Sequence, residues 1–145
     1  RASSSLPLLA NMVEIDGKLY MDGGISDSIP LKQSIRQGNE KNVVVLTRPR
    51  DYRKKNSRAA VAAALKYRKY PKMAAALRSR TKTYNETLDF IAAEEAAGRA
   101  FVIAPMGPLS IGRTERDRNK LRAAYQEGYF VAEGLAEKMN AFLTE

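Results

Sequence analysis

The stretch "NVVVLTR" at residues 42–48 constrains the fold more than any other. An unbroken apolar run rich in β-branched valine is the pattern of a strand buried on both faces. A second such run, "AFVIAP" at 100–105, closes on Pro105. Between and after these runs lie segments with helical periodicity. Strands alternating with helices predict an α/β layered arrangement.

The connecting segments support that class. Residues 1–11 read as loop. Met12–Ile15 and Lys18–Met21 read as two short strands around Asp16-Gly17, a hairpin signal. Pro30 suits the first turn of a helix running to about Gln37 and stopping at Gly38. Residues 59–80 read as helical with a break or kink at Pro71, and Val61 with Leu65, then Met73 with Leu77, form the apolar stripes. A separate helix is expected over Lys82–Ala97, capped by Gly98, with Tyr84, Leu88 and Ile91 on one face. "MGPLSIGR" reads as loop. Thr114 is expected to cap a long last helix, with Asp117 at the capping-box position. There, apolar residues from Leu121 to Phe142 recur at steps of three and four, which makes Tyr125, Tyr129 and Phe130 expected core or domain contacts. The hairpin and the two buried strands are expected to share one sheet. That sheet is too small to stand alone, so part of it is expected in sequence outside these 145 residues. The opening "RASSSLPLL", which begins on Arg rather than Met, reads as the interior of a longer protein.

Composition excludes several chemistries. There is no histidine, so no Ser-His-Asp triad can be built from this chain alone. There is no cysteine, hence no disulfide and no thiolate metal site. No metal or cofactor is expected. The formal charge of +9 suggests an anionic partner.

The residues that can carry chemistry lie in "KLYMDGGISDSIPL", 18–31. Asp22 ends the second hairpin strand, at the rim where α/β sheets place functional groups. Gly23 and Gly24 remove side chains beside it and permit a tight turn with positive φ. Asp-Gly is also ordinary turn chemistry, so local reading leaves both roles open.

Together with "ASSSLPL" upstream and "NVVVLTRP" and "APMGPLSIGRTERDRNKLRAAYQEGY" downstream, this motif resembles the C-terminal catalytic segment of bacterial patatin-like phospholipases. The resemblance is taken to run along the whole chain, with its specificity in residues 2–31. It implies a partial three-layer patatin-like sheet with flanking helices, incomplete without the N-terminal half of the same enzyme. Residues 1–50 would be the C-terminal part of the catalytic domain, and 51–145 a mostly helical region with one further strand. It implies a serine-aspartate dyad cleaving lipid acyl esters. Asp22 would be the catalytic base, with Gly23 and Gly24 shaping its turn or contacting substrate. The serine of such a dyad lies in a Gly-x-Ser-x-Gly elbow, and no such pattern occurs here. "GPLSIG", 107–112, has one residue too many before Ser110. Serines 3, 4, 5, 26 and 28 read as loop and capping residues. The nucleophile is therefore expected outside this chain, which alone should be inactive.

"RPRDYRKKNSR", 48–58, sets six basic residues against one acid. A solvated loop is the plain reading. Its functional counterpart is a contact with an anionic membrane surface. Nucleic acid is disfavoured: tyrosines interleave with the basic residues, but no helix-turn-helix, zinc or RNP pattern accompanies them. Arg113, Glu115, Arg116 and Asp117 read as a helix start. The expected location is cytoplasmic or peripheral to a membrane. The alternative function is a non-catalytic basic module binding anionic membrane or nucleic acid.

Overall fold

The computed structural model describes residues 1–112 and 114–144, and Arg113 of the charged helix start and "MGPLSIGR" loop lies outside them. The fold is mixed α/β with two small sheets. In order the elements are β1 (Val13–Ile15), β2 (Lys18–Tyr20), α1 (Leu31–Arg36), β3 (Asn42–Val45), α2 (Arg58–Lys66), α3 (Pro71–Ala96), β4 (Ala100–Ile103) and α4 (Arg118–Thr144). Two compact units can be distinguished. One comprises Arg1–Pro30 and Arg53–Asp89, the other Leu31–Tyr52 and the residues from Phe90 onward.

In the first unit β1 and β2 form the expected hairpin, with Val13 opposite Tyr20 and Ile15 opposite Lys18. Asp16 and Gly17 have φ of 49° and 71°, the left-handed pair whose twist matches the strands. Ser57 caps α2, its Oγ accepting from the Ala60 N–H. The stripe expected on α2 is on the wrong side. Val61 and Leu65 are 69% and 63% exposed, whereas Ala63, Ala64 and Tyr67 are buried. Two small side chains let α2 approach Ile25 and Leu77 closely, and Met12, Met21, Met73 and Ala76 pack around that core. The Tyr67 hydroxyl accepts a hydrogen bond from the Leu8 N–H at 3.4 Å, so its polar end is satisfied.

Pro71 begins α3, as a proline at the first helical position should. The second helix expected from Lys82 does not exist separately. α3 runs unbroken through Arg80–Lys82, because no Gly or Pro follows Pro71 until Gly98. The threonines there lower helix propensity without breaking the hydrogen-bond ladder.

In the second unit β3 and β4 pair in parallel, Asn42 opposite Ala100 and Val45 opposite Ile103. Burial on both faces of β3 is not found. Asn42, Val44 and Leu46 are buried while Val43 and Val45 are exposed, so the strand alternates. Buried Asn42 is satisfied locally: the Ser34 hydroxyl donates to its Oδ1 at 2.6 Å, and its Nδ2 donates to Asn39 O at 3.0 Å. α1 packs on β3 and α4 on β4, where Phe101 and Phe142 rings meet at 5.7 Å. Gly38 and Gly98 end α1 and α3 with φ of 91° and 73°, as expected of helix-terminating glycines.

Two further expectations are corrected. Among the described residues the hairpin and the buried strands form two separate two-stranded sheets, β1 with β2 and β3 with β4. Ile15, Leu19 and Tyr20 of the hairpin remain about half exposed. The cap of α4 is Asp117, not Thr114: its Oδ1 accepts from the N–H groups of Asn119 and Lys120 at 2.8 and 3.2 Å. Asp117 directly precedes the first helical residue, which is where a carboxylate reaches those amides.

Candidate active-site aspartate

Asp22 follows β2 and is held from both sides. Its own N–H donates to Ser5 O at 3.0 Å, tying it to the buried end of the opening loop. Its carboxylate caps the short 3-10 turn Gly23–Ile25, with Oδ1 accepting from the Gly24 N–H at 2.7 Å. Ile25 then inserts into the core and anchors the turn. Gly24 O accepts two hydrogen bonds, from Ser28 Oγ and from Arg80 Nε of α3, each at 2.8 Å. Among the described residues the amide of Gly24 makes the one hydrogen bond to this carboxylate, and it falls on Oδ1.

Neither glycine uses the positive φ expected of it. Gly24 matters for another reason: a side chain there would push the Asp22 carboxylate aside. A Cβ there would stand 2.9 Å from Asp22 Oδ1, closer than a real side chain tolerates. At Gly23 a Cβ would meet nothing within 4 Å. A side chain at Gly23 would therefore meet open space.

Asp22 is half-buried on the wall of an open groove of about 560 Å³. Met12, Met21, Ile25, Tyr70, Met73 and Ala76 give that groove a mainly apolar lining. Such a groove with few polar groups accepts an alkyl chain at little desolvation cost. The nearby serines are turn residues, as expected. Ser26 Oγ donates to Gly23 O, Ser28 Oγ to Gly24 O, and Ser4 and Ser5 Oγ both to Arg1 O. Among the described residues none donates to Asp22, and no cluster of three or more acidic residues is set to hold a metal ion.

Arg80 was not singled out by its sequence context, although a signal existed. It lies three residues after Leu77 and four after Ala76, on the inward side of α3. A cation on a packed helix face needs an acceptor.

The basic segment 48–58 is partly neutralised. The Arg50 guanidinium pairs with Glu95 and also donates to Val102 O at 2.7 Å, while Arg53 pairs with Asp89 at 2.9 Å. Lys54 Nζ lies 4.6 Å from the Tyr84 ring centre, and its backbone exchanges hydrogen bonds with the Asn85 side chain. Among the described residues, no helix is long and apolar enough to cross a membrane.

The comparison with known families divides the chain. Residues 1–35 match the patatin-like phospholipases, a span that includes Asp22, Gly23 and Gly24. Residues 70–144, which are 75 of the 145, match a domain of unknown function, DUF6363, and the chain belongs to that family. The resemblance to patatins expected along the whole chain is thus confined to its first 35 residues. YjjU, an uncharacterized protein of Escherichia coli strain K12, is 48% identical over 50 residues. That alignment covers 34% of this chain and 14% of YjjU, so the chain corresponds to a small part of that relative's length.

Proposed function

We propose that the chain is part of a serine acyl hydrolase acting on lipid esters, in which Asp22 is the base of a Ser-Asp dyad. The nucleophilic serine and the oxyanion hole are supplied by polypeptide outside residues 1–145. In this reading residues 1–50 complete the catalytic domain and 51–145 form its mostly helical extension. The observation that carries the reading is the patatin-like match over 1–35 combined with a half-buried Asp22 at an apolar groove.

The chemistry needs only one carboxylate from this chain. The serine hydroxyl adds to the ester carbonyl carbon and its proton passes to Asp22. The tetrahedral adduct collapses, the bond from carbon to the alkoxy oxygen breaks, and Asp22 returns the proton to the departing alcohol. Water then adds to the acyl-serine, again giving its proton to Asp22, and the serine leaves with that proton as the fatty acid is released. Asp22 must come within about 2.6–3.2 Å of the serine hydroxyl for these transfers. The groove walls formed by Met21 and Met73 would take the alkyl chain.

The test is hydrolysis of p-nitrophenyl acyl esters by the polypeptide extended through its upstream coding sequence. Turnover is expected, together with an in-frame Gly-x-Ser-x-Gly upstream of Arg1. Asp22→Asn should abolish it while leaving the melting temperature unchanged. Undiminished turnover in Asp22→Asn would refute the dyad, and absence of any turnover together with salt-sensitive vesicle or DNA binding would favour the non-catalytic module.

A further inference from the structure

α4 is apolar on two sides, and the fold uses one. Ala124, Val131, Leu135 and Phe142 are spaced by seven, four and seven residues and are partly covered, Phe142 against Phe101 of β4. Most of the rest of the helix surface is uncovered and carries further apolar side chains. Leu121, Tyr125, Tyr129 and Phe130 are 43%, 70%, 55% and 69% exposed, and none of α4 is fully buried. The aromatic residues form one cluster, Tyr125 with Tyr129 at 6.4 Å and Tyr129 edge-on to Phe130 at 6.5 Å, around a shallow depression of about 320 Å³. A helix needing only a core contact would carry polar residues there.

The charges on the same stripe indicate what covers it. Arg118, Arg122, Tyr125 and Tyr129 follow one another at steps of four, three and four, so they share a face. Arg118 and Arg122 are exposed, and no acid lies on that face before Glu133. Exposed tyrosines beside arginines match the headgroup level of a bilayer, where an amphipathic ring is half in hydrocarbon and a guanidinium meets phosphate. The basic loop 48–58 offers less, since Arg50 and Arg53 already have carboxylate partners.

We infer that the N-terminal half of α4, through Leu121, Tyr125, Tyr129 and Phe130 flanked by Arg118 and Arg122, is a surface that docks on anionic lipid bilayers. The helix lies on the membrane and does not cross it. This inference stands apart from the dyad, because it concerns a different face and needs no catalysis.

Co-sedimentation of residues 1–145 with phosphatidylcholine vesicles, with and without phosphatidylglycerol, tests it. Binding should require the anionic lipid and weaken with salt. Arg118→Gln/Arg122→Gln should lower partitioning about tenfold or more, and Tyr125→Ser/Tyr129→Ser should lower it at least as much. Both faces of the test avoid the packed side of α4, and an unchanged circular dichroism spectrum confirms that the variants fold. Tyr129→Trp should give blue-shifted emission on vesicles, whereas Met106→Trp, at a residue 92% exposed elsewhere, should not. Equal binding by the wild type and the tyrosine variant would overturn the proposal. So would a dimer in sedimentation velocity that the tyrosine variant dissociates, which would assign the face to a second copy of the chain.

Discussion

Arg80 Nε donates to Gly24 O across 2.8 Å and 56 residues of sequence. It joins the helical region that defines the DUF6363 family to the turn that carries the patatin-like aspartate. Removing it leaves Gly24 O with only Ser28 Oγ. Arg80→Ala should cost about 1–2 kcal/mol in urea denaturation, in the range of hydrogen bonds to charged groups. Arg80→Lys should recover part of that. In the catalytically complete polypeptide, Arg80→Ala should lower kcat more than it raises KM, because it shifts the base without touching substrate.

Gly24→Ala and Gly23→Ala should differ sharply despite adjacency. The first forces a methyl group to within 2.9 Å of Asp22 Oδ1, the second meets nothing. Displacing a catalytic group by about 1 Å can reduce turnover about a hundredfold, and a smaller shift correspondingly less. Gly24→Ala should show such a loss in ester hydrolysis, with Gly23→Ala keeping its melting temperature. Equal effects of the two substitutions would refute the close-approach explanation.

The inward face of α2 and α3 can be tested by truncation. Leu77, 3% exposed, should cost about 2–5 kcal/mol on replacement by Ala. Val61→Ala and Leu65→Ala, at exposed positions, should each stay within about 0.5 kcal/mol of the wild type. Chemical denaturation of the three variants distinguishes this arrangement from the reverse.

Acid should weaken the end of α3. The Arg99 guanidinium forms two 2.7 Å hydrogen bonds with the nearly buried Glu94 carboxylate and holds it below the usual carboxylate range. As pH falls below that range, the unfolded chain takes up this proton before the folded one does, so stability drops. The contribution is fully present above the ordinary glutamate pKa and disappears as pH passes through the depressed value. Glu94→Gln should flatten the acid limb of a melting-temperature profile and leave its neutral limb parallel to the wild type.

Asp117→Ala should destabilise α4 by about 1 kcal/mol, the usual cost of losing an N-cap. Thr114→Ala should be close to neutral. Helix content by circular dichroism during mild denaturation, or amide exchange at Asn119 and Lys120, reads the difference.

Much of the local structure was legible because its causes are local. Asp16-Gly17 specifies its hairpin, and Gly38 and Gly98 their helix ends, within a few residues, whereas the Ser57 cap of α2 emerged only in the structure. What was not legible depended on partners distant in sequence. Val61 and Leu65 looked like the core stripe of α2 by hydrophobicity, yet Ala63 and Ala64 turn inward because closeness to Ile25 and Leu77 is worth more there. The continuity of α3 through Arg80–Lys82 differs from the expected two helices, and no Gly or Pro there marks a break. The alternation of β3 was hidden, since valine suits both faces of a strand. At the site, Asp22 announced itself by motif, while Ser5 and Arg80 could be assigned only once the chain was folded.

Asp22 caps its turn through Oδ1, and the proposed function gives it a second, separable duty. An asparagine can accept the Gly24 amide as well as an aspartate does, so the turn outlives the carboxylate. An Asp codon becomes an Asn codon through one base change. Under the proposed function, a descendant of this gene could thus fall silent as a catalyst while retaining its shape and its helical extension, with one carboxylate oxygen exchanged for an amide nitrogen as the difference.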